Sequence, residues 1–185
     1  MNIADFWQII DKARTSADSW EDMHDPLVAL LAELETADLM LWKQVFDEYQ
    51  RLSYKDKLWA AAYVINGGCS DDGFDYFRGW LTAQGKKIFL NALADPESLA
   101  DVESCAEGVE YEDILGAASD AFFQKYGLSR DYNVFHHKLD EYPLPEQLKA
   151  AMASEIRYAA DIDVEWDDAD LPKLLPKLCQ TFDWE

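Results

Sequence analysis

Apolar residues recur at helical spacing along almost the whole chain, and this period constrains the fold more than any other feature. The first stripe places Phe6, Ile9, Ile10 and Ala13 on one side of a helix. Similar stripes predict helices at 25–34, 36–49, 55–65, 70–88, 111–126, 145–160 and 171–182. The chain has 185 residues, of which 49% are hydrophobic and 14% aromatic, so it can bury one sizeable core. We therefore predict an all-α single domain over residues 1–185, built as an array of about seven to nine helices.

Local residue types predict where several helices begin and end. Asp25-Pro26 and Asp95-Pro96 each combine a capping carboxylate with a proline suited to a first helical turn. Ser70 or Asp71 is a further candidate cap, and Gly127 lies where a helix is expected to stop. The stretch from Gly127 to Pro145 shows no clear stripe, and we predict a long irregular connection there.

One segment departs from the helical pattern. From Asp161 to Asp167 apolar and acidic residues alternate, which would place Ile162, Val164 and Trp166 on one face and four carboxylates on the other. We predict a short extended strip near 161–167. The carboxylates are spaced somewhat as in a calcium loop, but Trp166 occupies the position that requires glycine, so no calcium site is expected.

The charge of the chain restricts its partners. Lys and Arg number 16 against 37 Asp and Glu, giving a net charge of −21. Such a charge repels phosphate backbones and anionic lipid surfaces, so we expect neither direct nucleic-acid binding nor membrane binding. A basic protein partner would be attracted instead. Three cysteines without a CxxC pair, and a start that lacks the features of a signal peptide, lead us to expect a cytoplasmic protein.

The negative charge is concentrated in two segments. Nine acids and no Lys or Arg lie between Lys87 and Lys125, and six acids lie between Arg157 and Lys173. We predict that these segments contribute carboxylates to a partner-binding surface, although solvated faces that keep the protein soluble would have the same composition. The residues selected from them are Asp161, Asp163, Glu165, Asp167, Asp168, Glu110, Glu112 and Asp113.

A second candidate region is the break between the helices predicted at 55–65 and 70–88. Glycine accepts positive φ angles, so Gly67 and Gly68 allow one helix to stop and the next to start within a few residues. The alternative is a pocket in which aspartates hold a cation or act as acid and base, with Arg78 orienting a carboxylate. Asp75 and Arg78 are three residues apart and could simply pair with each other. The residues of this candidate junction are Asn66, Gly67, Gly68, Asp71, Asp72, Asp75, Arg78 and Trp80.

No residue pattern predicts a catalytic group, a metal site or a cofactor. Cys69 precedes a predicted helix start, which would lower the pKa of its thiol, but no histidine lies nearby in the sequence to act as a base. His136 and His137 are adjacent and would point in different directions, which suits a shared metal poorly. Phosphate-binding loops and known hydrolase motifs are also lacking.

Several motifs resemble those of one known family. They are Phe6-Trp7, Leu58-Trp59-Ala60-Ala61-Ala62-Tyr63, Asn66-Gly67-Gly68-Cys69-Ser70-Asp71-Asp72-Gly73-Phe74, Phe77-Arg78-Gly79-Trp80-Leu81 and Asp95-Pro96. Together they resemble an uncharacterised bacterial family, domain of unknown function forty-two forty, over roughly 3–126. The resemblance implies a small, mostly helical protein, and it supplies no reaction, cofactor or catalytic residue. The region 127–185 matches less clearly.

These observations lead to a functional hypothesis with two alternatives. The leading hypothesis is an acidic binding module that neutralises a basic partner protein, in the manner of an immunity protein that blocks a toxin. The first alternative is an enzyme, or a small-ligand or metal binder, at the junction Gly67–Asp75. The second is a nucleic-acid mimic, which would need its carboxylates in a regular double row.

Overall fold

The computed structural model describes residues 1–184, with the side chains of 106 and 107 excepted, so the last residue of the predicted domain lies outside the described range. The α-helices are α1 (Ile3–Thr15), α2 (His24–Ala32), α3 (Thr36–Leu52), α4 (Asp56–Asn66), α5 (Asp71–Ala83), α6 (Lys86–Ala94), α7 (Asp113–Tyr126), α8 (Tyr132–Asp140), α9 (Glu146–Glu155), α10 (Leu171–Leu174) and α11 (Pro176–Thr181). Short 3-10 helices span Glu21–Met23, Pro96–Asp101 and Glu103–Glu107. Residues 1–184 contain no strand. The all-α prediction is confirmed.

The core lies where the predicted stripes face one another. Helix α7 packs against α2, α3, α5 and α8, and α1 packs against α2, α3 and α5. The first stripe is buried as expected, with Phe6 and Ile10 fully inaccessible. Trp42 and Trp80 are also completely buried, and aromatic side chains of this size supply much of the hydrophobic stabilisation.

The C-terminal part covers one side of this core. Helix α11 packs on the 3-10 helix Pro96–Asp101 and on α4, and α10 also contacts α4. Helices α8 and α9 pack against α3. No helix within residues 1–184 combines the length and the apolar content that crossing a bilayer requires.

Three predicted boundaries are confirmed by their capping contacts. The Ser70 side chain accepts a hydrogen bond from the Gly73 N–H, 3.1 Å away, and so caps α5. Gly127 ends α7 in the left-handed conformation. Asp95 accepts from the N–H of Glu97, but the element that it caps is the 3-10 helix Pro96–Asp101.

Other boundaries differ from the prediction. The helix expected at 70–88 is divided into α5 and α6 at Gly85, whose φ of +90° cannot continue a helix. The helix expected at 171–182 is divided at Leu175, because Pro176 has no N–H to donate. The stretch 127–145 was predicted to be irregular and instead contains α8, which Asp131 caps and which buries Phe135 and Leu139.

The extended strip predicted at 161–167 is replaced by a turn followed by irregular backbone. The N–H of Val164 donates to the carbonyl of Asp161, and the Ile162 carbonyl accepts from the N–H of Lys57 in the first turn of α4. Ile162 is buried as predicted, whereas Val164 is exposed. The segment therefore provides a hydrogen-bond acceptor for a backbone N–H in the first turn of α4, and it does not form a strand edge.

Candidate functional site

The glycines of the candidate junction make a helix stop followed at once by a helix start. Gly67 ends α4 in the left-handed conformation, with a φ of +68° and a ψ of +31°. The N–H of Gly68 donates to the Tyr63 carbonyl at 2.8 Å, which closes the last turn of α4. Four residues after Gly67, α5 begins at Asp71. This is the structural role that glycines at these positions predict.

Arg78 makes more of the polar contacts of the junction than its neighbours do, and its side chain is almost fully buried. The residue is only 4% exposed. Its side chain donates to the carbonyls of Phe74 and Gln50 and forms an ion pair with Asp75. Burial lowers the pKa of Arg78 from its ordinary value, while the charge of Asp75 opposes this effect.

Aromatic rings complete the surroundings of this guanidinium. The Tyr54 ring centroid lies 4.7 Å from the Arg78 Cζ atom, and that of Phe74 lies 4.8 Å away. The Tyr54 hydroxyl donates to the Asp71 carboxylate at 2.8 Å, and this hydrogen bond raises the pKa of Tyr54. Trp59 stacks on Phe74 and donates its indole N–H to the Cys69 carbonyl at 3.1 Å. Arg78 and Asp71 thus already have partners within the protein.

Two other junction residues also lie away from any open site. Trp80 is fully buried in the core, and Asn66 is half-buried, with its amide nitrogen lacking a partner. Among the side chains that the structure describes, no three His, Cys, Asp or Glu residues are arranged to hold a metal ion. The geometry of the junction therefore favours the structural interpretation.

Part of the acidic segment near the C-terminus is neutralised within the protein. Asp161 pairs with Lys57 at 2.7 Å, and Asp163 pairs with Lys55 at 2.9 Å. The hydrogen bond from Lys57 lowers the pKa of Asp161. The Asp167 carboxylate accepts the N–H of Ala169 at 2.9 Å. This N–H is neutral, so Asp167 keeps its charge. Asp167, Glu165 and Asp168 are exposed, and no described ion pair neutralises them.

The other acidic segment meets the start of α5. The N–H of Tyr111 donates to the Tyr76 carbonyl at 3.0 Å, which ties the segment before α7 to α5. A Cβ atom on Gly73 would lie 3.2 Å from a Glu110 carboxylate oxygen, so Glu110 lies directly against the first turn of α5. Glu110, Glu112 and Asp113 are all exposed.

Carboxylates from both segments surround Tyr76. Desolvation raises the pKa of the Tyr76 hydroxyl, and the negative charges of Glu112, Asp72 and Asp75 raise it further. We call Asp72, Asp75, Glu110 and Glu112 the acidic cluster. Arg78 pairs with Asp75, and no described ion pair neutralises the other three side chains. The start of α5 itself stabilises Asp72 through the helix dipole.

The structure thus places part of the candidate junction next to part of the acidic segment 110–113, which are far apart in the sequence. Asp72 and Asp75 belong to the candidate junction, whereas Glu110 and Glu112 were selected as partner-binding residues 35 or more positions away. Tyr76, around which three of them lie, was missed. Its position four residues after Asp72, on the same face of one helix, is the one signal that pointed to it.

Comparison with known proteins identifies the family and nothing more specific. Residues 1–124 match the sequence model of the family described as protein of unknown function (DUF4240), and the chain belongs to this family. The match covers the junction and the acidic cluster. None of the curated proteins and none of the solved structures matches the chain.

Proposed function

We propose that this member of the DUF4240 family is a binding module for a basic protein and that the acidic cluster is its contact surface. The observation that carries the proposal is the placement of three carboxylates, those of Asp72, Asp75 and Glu112, around Tyr76, with Glu110 against the first turn of the same helix. Among the described residues, Arg78 is the one cation that pairs with a member of this cluster. Like charges held this close repel one another, and a partner that brings Lys or Arg side chains relieves the repulsion.

Electrostatic attraction also fits the chain as a whole. A net charge of −21 accelerates the encounter with a basic protein, and salt weakens this effect because it screens exposed charges. Half-buried Tyr76 supplies an aromatic surface in the middle of the cluster, and tyrosine is common among residues that dominate binding energy at interfaces. Glu165 and Asp168 add negative charge elsewhere on the surface.

The biological form of this proposal is an immunity-like protein that blocks a basic toxin in the cytoplasm. Such an inhibitor needs a preformed surface and no catalytic groups of its own. The acidic cluster meets the first requirement, because hydrogen bonds hold both segments that carry it: the Ser70 side chain caps α5, and the Tyr111 N–H donates to the Tyr76 carbonyl.

The alternatives receive less support. A catalytic or ligand-binding junction would need donors that face outward, whereas Arg78 is buried and donates to Gln50, Phe74 and Asp75. A nucleic-acid mimic would need a regular double row of carboxylates. Three of the four carboxylates of the acidic cluster lie around the Tyr76 hydroxyl instead.

Affinity capture from a lysate of the native host tests the proposal. The wild-type chain is compared with the cluster variant Asp72→Asn/Glu110→Gln/Glu112→Gln and with the control variant Asp18→Asn/Glu33→Gln/Glu35→Gln. Both variants lose three exposed charges, but the control positions lie outside the acidic cluster and have no described side-chain partner. We expect the wild type and the control variant to retain the same basic protein and the cluster variant to lose it. Retention by all three chains, or by none, contradicts the proposal.

A further inference from the structure

A cleft of about 640 Å³ lies between the end of α4, the segment 100–108 and the residues that follow α11. Four half-buried apolar side chains form its walls: Ile65 at the end of α4, Ala100 and Val102 around the 3-10 helix Pro96–Asp101, and Phe182 after α11. All four pack against the core, so the walls are fixed by the fold. Its volume is in the range of clefts that bind small molecules or single side chains.

The charged side chains that line this cleft are all acidic. Asp101, Glu103 and Asp183 line it and are exposed, and none of the described residues that line it is basic. The Asp101 carboxylate already accepts from Lys177 at 2.5 Å. Glu103 and Asp183 therefore carry the negative charge that is free for a partner. These two residues are 80 positions apart in the sequence, and the packing of α11 on residues 96–101 places both at the cleft.

Two segments of chain connect the cleft with the acidic cluster. Gly108 lines the cleft and Glu110 belongs to the cluster, with buried Val109 between them. Ile65 lines the cleft, and the junction that starts at Asn66 leads into α5 and Asp72. Because residues two apart in a chain lie within about 7 Å of each other, the cleft begins beside Glu110, and a protein bound to the cluster can reach it.

We infer that the cleft receives an arginine side chain of the basic partner. This inference rests on the proposed function, because the partner supplies the arginine. The aliphatic part of the side chain would lie against Ile65 and Val102, and its guanidinium would lie between Glu103 and Asp183. Arginine fits better than lysine because its planar guanidinium stacks on an aromatic ring such as Phe182, forms paired hydrogen bonds with carboxylates and is less strongly hydrated.

The probe for the test is N-acetyl-arginine amide, titrated into the full chain and followed by ¹H–¹⁵N NMR. A ligand of this size in a preformed site should bind with a dissociation constant of about 1 mM. We expect saturable shifts of backbone amides in 100–105 and 181–184. N-acetyl-citrulline amide has nearly the same shape without the charge, and it should bind about tenfold more weakly or not at all.

Two variants separate specific binding from general attraction to an acidic protein. Glu103→Gln/Asp183→Asn keeps the shape of the cleft, because Asn adopts the positive φ of position 183 as readily as Asp does. We expect it to weaken arginine binding about fivefold or more, with a spectrum that otherwise shows an intact fold. The cluster variant Asp72→Asn/Glu110→Gln/Glu112→Gln should bind the probe within about twofold of the wild type.

Several outcomes would overturn the inference. These are the absence of saturable shifts, binding of N-acetyl-citrulline amide as tight as that of the arginine probe, and equal weakening by both variants. The same conclusion would follow if Nα-acetyl-lysine amide, titrated as a further probe, bound as tightly as the arginine probe. The two proposals fail separately. If a basic protein is captured through the acidic cluster but the arginine probe does not bind, the cleft is not an arginine site. If the probe binds but no basic protein is captured, the proposed function fails and the cleft remains a site for arginine.

Discussion

The hydroxyl of Tyr49 donates a hydrogen bond to the carboxylate of Glu155, 106 positions further along the chain. The same hydroxyl accepts the indole N–H of Trp7 at 3.0 Å, and Lys86 pairs with the other oxygen of Glu155 at 2.6 Å. Tyr49 is fully buried, and this burial raises the pKa of its hydroxyl, with Glu155 raising it further. One polar network thus joins the part of the chain that matches the family to α9, which lies beyond it.

Replacing Tyr49 tests how strongly this network holds the two parts together. Tyr49→Phe keeps the ring but removes the hydroxyl, so the indole N–H of Trp7 and one oxygen of Glu155 lose their partner. We expect the free energy of unfolding to fall by about 1–3 kcal/mol. Urea unfolding measures this, with Tyr132→Phe as the control because Tyr132 is 52% exposed. Equal stability of the two variants would show that the network contributes nothing.

Gly79 tests the contact that positions the acidic cluster. A Cβ atom there would lie 2.7 Å from the Tyr111 carbonyl oxygen and 2.8 Å from Cγ2 of Ile114, so α5 and the start of α7 would have to separate. We expect Gly79→Ala to lower the free energy of unfolding by about 1–3 kcal/mol.

The matched control is Gly116→Ala, also inside a helix, where a Cβ atom meets nothing within 4 Å. Because alanine favours helix more than glycine does, this change should stabilise the protein by up to about 1 kcal/mol. Thermal unfolding of both variants measures the difference. Shifts of the same sign would contradict the close packing of α5 on the 110–114 segment.

Arg78 separates the structural and the functional interpretations of the junction. Lysine in its place keeps the charge but cannot reach the two carbonyls and Asp75 together, so we expect Arg78→Lys to lose about 2–4 kcal/mol of stability. Arg130→Lys serves as the control, since Arg130 is largely exposed, and it should change stability by less than about 0.5 kcal/mol. If Arg78→Lys were as stable as the wild type, the guanidinium would be free for a ligand.

Cys69 reports the electrostatic field of the acidic cluster. Burial raises the pKa of its thiol to about 11, and the nearby charge of Glu110 contributes to this increase. The reactive thiolate is therefore scarce at neutral pH and becomes abundant as the pH approaches that value. We expect slow alkylation of Cys69 at pH 8, quantified by peptide mass spectrometry, and faster alkylation in Glu110→Gln. Glu33→Gln should leave the rate unchanged, and an equal effect of both variants would show that Glu110 does not act locally.

Much of the fold could be predicted because its signals are local. The stripes, the Ser70 cap and the stop at Gly127 each depend on a few neighbouring residues, and all appear in the structure. Helix α8 was missed because only Phe135 and Leu139 are buried along it, too few to form a visible stripe. The helix predicted at 70–88 was wrong because the stripe continues in register across Gly85 even though the backbone does not.

The candidate site depends on contacts that a sequence pattern cannot display. The acidic composition of 110–113 and the aspartates of the junction were recognised, but their union follows from the packing of Tyr111 on Tyr76. Pairing of Asp161 with Lys57 and of Asp163 with Lys55 likewise joins residues more than a hundred positions apart. The alternation of apolar and acidic residues along 161–167 gave no indication that Lys55 and Lys57 would form ion pairs with two of its carboxylates.

The most direct test of the central claim is the affinity of the captured basic protein for three chains, measured by calorimetry at low and high salt. They are the wild type, the cluster variant Asp72→Asn/Glu110→Gln/Glu112→Gln and the control variant Asp18→Asn/Glu33→Gln/Glu35→Gln. We expect the cluster variant to bind at least about tenfold more weakly and the control variant to bind within about threefold of the wild type, with salt reducing the difference. Equal affinities of the two variants would show that only total charge matters, and would contradict binding through the carboxylates around Tyr76.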